Sequence, residues 1–152
     1  MLKQYKAVFF DVGGTLLRPY PSVGDIYAQH ASSFGFCGSA EELNHQFRSE
    51  WKKMGGMESL GGCDPQAERR FWYELVFNVF SPFGGLRNFD AYFEIVYHAF
   101  TLKDNWQVFE DVLESGVLDK LKREGVVMGV VSNWDSRLPR ILENMGLGGY
   151  FK

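Results

Sequence analysis

Cysteine is scarce in this sequence. Of 152 residues only Cys37 and Cys63 carry a thiol, and no CxxC spacing occurs. That excludes a disulfide framework, and free thiols in a reducing compartment are expected. No apolar run approaches the ~20 residues of a membrane-spanning helix. The apolar stretch of the N-terminal MLKQYKAVFF is cut at Asp11, too soon for a secretory signal. Positive charge is also lacking: the formal net charge is -3. Nothing electrostatic therefore favours nucleic acid or an anionic membrane surface as a partner. Internal repeats and low-complexity segments are absent too. A cytoplasmic protein without nucleic-acid or membrane partners is the expectation.

Aromatic residues, in contrast, make up 16% of the chain, with 14 phenylalanines. They gather in RRFWYELVFNVFSPF and FDAYFEIVYHAF, which calls for a large apolar surface to be covered. The YKAVFF run at 5–10 reads as a buried parallel strand emptying into a tight turn at Asp11 and a glycine pair. SVGD at 22–25 and SAEE at 39–42 have the form of capping boxes opening two helices. GGMESLGGCDP reads as a loop. After Pro65, apolar residues at 71, 72, 75, 76, 79 and 80 have helical spacing, and NFDAYFEIVYHAF gives a fourth helix. VFEDVLESGVLDKLKREG reads as one amphipathic helix closed by Gly125. VVMGVVSN follows as a second apolar strand, and DSRLPRILENMGLGGYFK as a last helix capped near Gly146. Strands followed by helices predict an α/β fold with a parallel sheet and ligands beyond the strands' carboxyl ends.

Asp11 and Ser132 both fall at such ends. An aspartate there suits a covalent nucleophile whose ester water later cleaves. Flanking glycines allow close backbone approach, and amides of such a turn form an anion-binding nest. Ser132 is placed to donate to the oxygens of the transferred group. His30, His45 and His98 lie on separate helices without ligand spacing and read as ordinary surface or core residues. The aromatic stripe of Phe71, Trp72, Leu75, Val76 and Phe80 with Tyr92, Phe93, Val96 and Phe100 reads most simply as a helical core, part of which faces the site as the lesser alternative. Trp134 is placed either to wall the site or to pack against that helical core. Arg18 and Tyr20, just after the Asp11 turn, are expected to reach bound substrate through the hinge.

FFDVGGTLL, followed at a distance by GVVSNWDSRL, resembles the first two motifs of the haloacid dehalogenase (HAD) superfamily of hydrolases. The helices between them look like the cap that subfamily I inserts there. The text is similar over essentially the whole chain to the branch of haloacid dehalogenase-like hydrolase domain-containing 3 proteins. The resemblance implies a HAD-like Rossmannoid core, incomplete here, from 1–17 and 101–152, with a helical cap at 18–100. It implies Asp11 as nucleophile, and Asp11 with the backbone carbonyl of Gly13 as Mg²⁺ ligands. Gly14, Thr15, Ser132 and Asn133 would hold the transferred group. A Mg-dependent phosphomonoesterase acting on a small phosphorylated metabolite is the implied activity. The alternatives are a metal-free dehalogenase taking a halogenated metabolite, and a catalytically inactive binding protein of the same fold.

Two departures from the family pattern bear on this. Position 13, where the phosphatases carry a general acid, is glycine, a loss worth on the order of 10²–10⁴ in rate for a poor leaving group. The family's third and fourth motifs, a lysine and an acidic pair, have no counterpart before Lys152. Lys122, Arg123, Asp135 and Arg137 are poorly placed substitutes and are given no role. A fragment or shortened variant with little turnover is therefore expected, with self-association through an exposed sheet edge.

Overall fold

The computed structural model describes residues 5–152. Residues 1–4 of the expected core segment lie outside the described residues. Two apolar runs pair as parallel strands: β1 (Ala7–Phe10) lies against β4 (Val127–Val130), with Ala7 opposite Val127 and Phe10 opposite Val130. Alternation along the strands divides their side chains between two faces. Val8, Phe10, Met128 and Val130 turn into an apolar cluster with α6 (Val117–Arg123) and α7 (Leu138–Asn144). On the other face Phe9 lies across Gly129 and is 68% exposed, as is Val131.

Between β1 and β4 the chain makes four longer helices. α1 (Val23–Ala31) starts at Ser22, whose side chain accepts from the amide of Asp25. α2 (Ala40–Met54) opens on a complete capping box, in which Ser39 and Glu42 satisfy each other's amides. α3 (Pro65–Phe80) is capped by Asp64 with Pro65 in its first turn, and α4 (Phe89–Ala99) follows. Their inner faces share a second apolar cluster that includes Ile26, Tyr27, Leu43, Leu75, Phe80 and Phe93. Burying rings in T-shaped pairs, such as Phe36–Phe80 and Phe80–Tyr92, accounts for much of the aromatic excess.

Three details differ from the sequence reading. β2 (Leu17–Pro19) and β3 (Trp106–Val108) form an antiparallel pair where the chain enters and leaves the helical layer. Three-residue strands carry too little pattern to be seen without their partner. The expected long helix at 108–125 instead gives its first residue, Val108, to β3 and continues as two helices, α5 (Glu110–Ser115) and α6, broken at Gly116 with φ +58°. A residue in the left-handed region ends a helix, and glycine enters it without cost. The glycine-rich loop after α2 contains a 3₁₀ turn at Met57–Leu60. Among the described residues no helix is long and apolar enough to cross a membrane.

Candidate active site

Because β1 and β4 are parallel and in register, their carboxyl ends open side by side. Asp11 follows β1 directly, and Ser132 lies two residues beyond β4. Across 121 positions of sequence, the Ser132 hydroxyl donates to Asp11 Oδ1 at 2.6 Å. The Thr15 hydroxyl approaches Oδ2 of the same carboxylate at 3.4 Å. Asp11 remains solvent-exposed, so its carboxylate is open to attack a bound group.

The turn after Asp11 is tightly wound. The Val12 carbonyl accepts from the amides of Thr15, Leu16 and Leu17, and the Gly14 amide donates to Leu17 at 3.0 Å. Gly14 has φ +78°, the left-handed geometry this winding needs. The N–H groups of Gly14 and Thr15 are thus taken up within the turn rather than presented as an anion nest. Asn133 is also engaged: its side-chain amide donates to Glu58 Oε1 at 2.6 Å, on the loop between α2 and α3.

Among the described residues, no three His, Cys, Asp or Glu side chains come together as a metal site. Mg²⁺ favours near-octahedral oxygen ligation with one or two carboxylates plus water and phosphate. The proposed donors here are one carboxylate, Asp11, and one carbonyl, that of Gly13. This set does not make a Mg²⁺ site by itself, and no reaction step below runs through the ion.

The segment following Asn133 contains functional groups that sequence reasoning passed over. The side chain of Asp135 is wholly buried. It accepts from Trp72 Nε1 at 2.7 Å and from Arg137 Nε and Nη2 at 2.9 and 2.6 Å. Arg137 in turn donates to the Tyr97 carbonyl at 2.9 Å and stacks 3.9 Å from the Tyr97 ring. Buried Glu68 on α3 accepts the Ser136 amide at 2.9 Å. Trp72, Tyr97 and Glu68 belong to the helical layer, so the loop that follows Ser132 is bolted to α3 and α4. One sequence signal was available. Glu68 falls three residues before Phe71 on the apolar stripe of α3, where an unpaired acid would be costly.

Next to the strand ends lies a chamber of about 450 Å³, with Gly13, Gly14 and Asn133 in its wall. All four tryptophans of the chain, Trp51, Trp72, Trp106 and Trp134, line it. Trp134 packs against Trp106 with ring centroids 5.1 Å apart. Phe93, Val96 and Phe100 of the aromatic stripe face the chamber, whereas Phe71, Leu75 and Phe80 remain in the helical core. Burial pushes the phenols of Tyr27 and Tyr97, also in the wall, above the ordinary tyrosine value, so both stay neutral at physiological pH. Arg18 reaches the wall too, but Gln107 accepts its Nε and Nη2 at 2.9 and 2.6 Å. His30, His45 and His98 are outside this wall.

Known proteins are similar to this chain in sequence and in fold. Haloacid dehalogenase-like hydrolase domain-containing protein 3 of Danio rerio is 31% identical over 147 residues, matching 95% of this chain and 60% of that protein. The Rhythmically expressed gene 2 protein of Drosophila melanogaster is 29% identical, matching 98% of this chain and 60% of its own length. The chain thus spans about three-fifths of these curated relatives. Among solved structures, the L-2-haloacid dehalogenase of Xanthobacter autotrophicus superposes with a TM-score of 0.66 at 20% identity, covering 97% of this chain and 55% of the other. A predicted phosphoglycolate phosphatase from Haemophilus somnus gives 0.59 at 18% identity, covering 98% and 61%. At such identities these two likenesses speak for the fold alone. The family model of the haloacid dehalogenase-like hydrolases matches residues 5–152, and the chain belongs to that family.

Proposed function

We propose that the chain carries the nucleophilic half of a phosphomonoester hydrolase, in which Asp11 accepts the phosphoryl group. The observation that carries this reading is the 2.6 Å hydrogen bond from Ser132 to Asp11, made between the ends of two adjacent parallel strands. It puts a carboxylate nucleophile and a neutral donor at one address, the minimum that acyl-phosphate chemistry needs. In the reaction an Asp11 oxygen attacks phosphorus and the bond to the leaving oxygen breaks. Water then opens the aspartyl phosphate, releasing orthophosphate and restoring the carboxylate. Ser132 donates to an oxygen of the transferred group. Thr15 steadies the second carboxylate oxygen, and Gly14 allows the turn that aims Asp11.

Replacing Asp11 with asparagine keeps the shape and removes the nucleophile. Phosphate release should fall by on the order of 10⁴-fold. Ser132→Ala should cost about 10²–10³-fold, mostly in kcat. Phosphate release unchanged in Asp11→Asn would refute the reading. A second reading, carbon–halogen hydrolysis through the same carboxylate, is favoured by Gly13, because halide leaves without a proton. Halide release from a 2-haloacid, with no phosphate release from any monoester, would decide for it.

A further inference from the structure

The chamber, whose wall includes Gly13, Gly14 and Asn133 close along the chain to Asp11 and Ser132, and the glycine at position 13 point the same way. We infer that the substrates are phosphate monoesters of aromatic hydroxyl compounds, with the aryl group held in the chamber; this rests on the reading of Asp11 as phosphoryl acceptor. At about 450 Å³ the chamber is the size of a site for an organic ligand. Phosphate or a two-carbon acid would leave most of it empty. Its wall gathers every tryptophan of the chain, together with Phe47 and Phe93. Rings of this kind recognise a flat aromatic group by stacked and edge-to-face contact. Of the two arginines in the wall, Arg137 is neutralised by Asp135, and Arg18 gives Nε and Nη2 to Gln107.

The second observation is independent of size. Position 13 is glycine, and a side chain there would begin 3.1 Å from Cζ3 of Trp134, so the indole edge crowds the place where an acid would start. The leaving oxygen therefore departs without a proton from position 13. A phenol, with a pKa of about 10, leaves as its anion far more readily than an alkyl alcohol, whose pKa lies near water's value of about 15.7. Ring recognition and an unassisted leaving group thus select the same compounds. As the Asp11–phosphorus bond forms, the phosphorus–oxygen bond to the aryl group breaks. The electron pair leaves with the phenolate, which takes its proton from water. A second water opens the aspartyl phosphate and gives its proton to solvent.

The test measures binding apart from turnover, on the full chain carrying Asp11→Asn. Because all four tryptophans line the chamber, 1-naphthyl phosphate should quench their fluorescence on binding. Calorimetry compares its affinity with that of glycerol 3-phosphate. Preference for the naphthyl ester by more than about five-fold is expected, and a smaller ratio overturns the inference. Met57→Trp, which fills the chamber from its loop side, should bring the ratio below two once thermal melting shows the variant folded; Val96→Phe serves if it is not. A ratio that survives filling overturns the inference. In the unsubstituted protein, Asp11-dependent phosphate release as fast from glycerol 3-phosphate as from 1-naphthyl phosphate refutes the aryl assignment and spares the nucleophile. Preferential naphthyl binding, with hydrolysis indifferent to Asp11→Asn, refutes the nucleophile and spares the aryl site.

Discussion

Gly13 and Trp134 are packed against each other, because the indole edge crowds the point where a side chain at 13 would begin. A Cβ there would stand 3.1 Å from the indole, tighter than ordinary van der Waals approach, and Trp134 itself packs at a tilt against Trp106. Gly13→Asp, the change that would install an acid, should therefore destabilise the protein by about 1–3 kcal/mol through overpacking. In a Trp134→Ala background the same change should cost much less, giving a coupling of about 1 kcal/mol or more in a double-mutant cycle followed by urea unfolding. Additive effects would show that the two residues do not share space. Asp11 and Ser132 were legible in the sequence because strand-to-turn punctuation is local. The partner of Gly13 was not, since Trp134 lies on a different loop and nothing in either stretch fixes their distance.

At the scale of elements, the same contrast holds. The capping boxes at Ser22 and Ser39 were readable because donor and acceptor are three residues apart. The β2–β3 pair was not, because Leu17 and Val108 are separated in the chain by the whole helical layer. The single long helix expected at 108–125 failed at Gly116, where amphipathic spacing continues across a backbone break. The β1–β4 sheet raises a further point. One face bears Phe9 and Val131, each 68% exposed, together with Val127 at 41%. Among the described residues β1 pairs with β4 alone, so an open strand edge adjoins this apolar face. Such an edge is complementary to the same edge of a second copy. We therefore expect this chain to self-associate as its concentration rises. Sedimentation velocity should show the shift, and Phe9→Lys should reduce it without lowering the melting temperature. A monomer at all concentrations would remove the proposal.

At the scale of the whole molecule, two apolar clusters have to move as one if the chamber between the helical layer and the strand ends is to keep its shape. Phe100 packs against both clusters, but the stronger tie is polar. Asp135 and Arg137 lie on the loop beyond β4, and their partners Trp72 and Tyr97 lie on α3 and α4. A buried ion pair adds little net stability compared with an apolar substitute, yet removing one member leaves an uncompensated charge and costs about 3–5 kcal/mol. Arg137→Met strands the Asp135 carboxylate, whose side chain has no exposed surface. It should therefore destabilise by about that amount. The tie joins two clusters, so the loss should also appear as broken cooperativity. In urea, tryptophan fluorescence and far-ultraviolet circular dichroism should follow one transition in the parent protein and separate transitions in Arg137→Met. Glu58→Gln serves as the comparison: it touches the same loop through Asn133, but at an exposed site, where the cost should stay below about 1 kcal/mol. Equal, small effects of both substitutions would mean that apolar packing alone holds the helical layer over the strand ends.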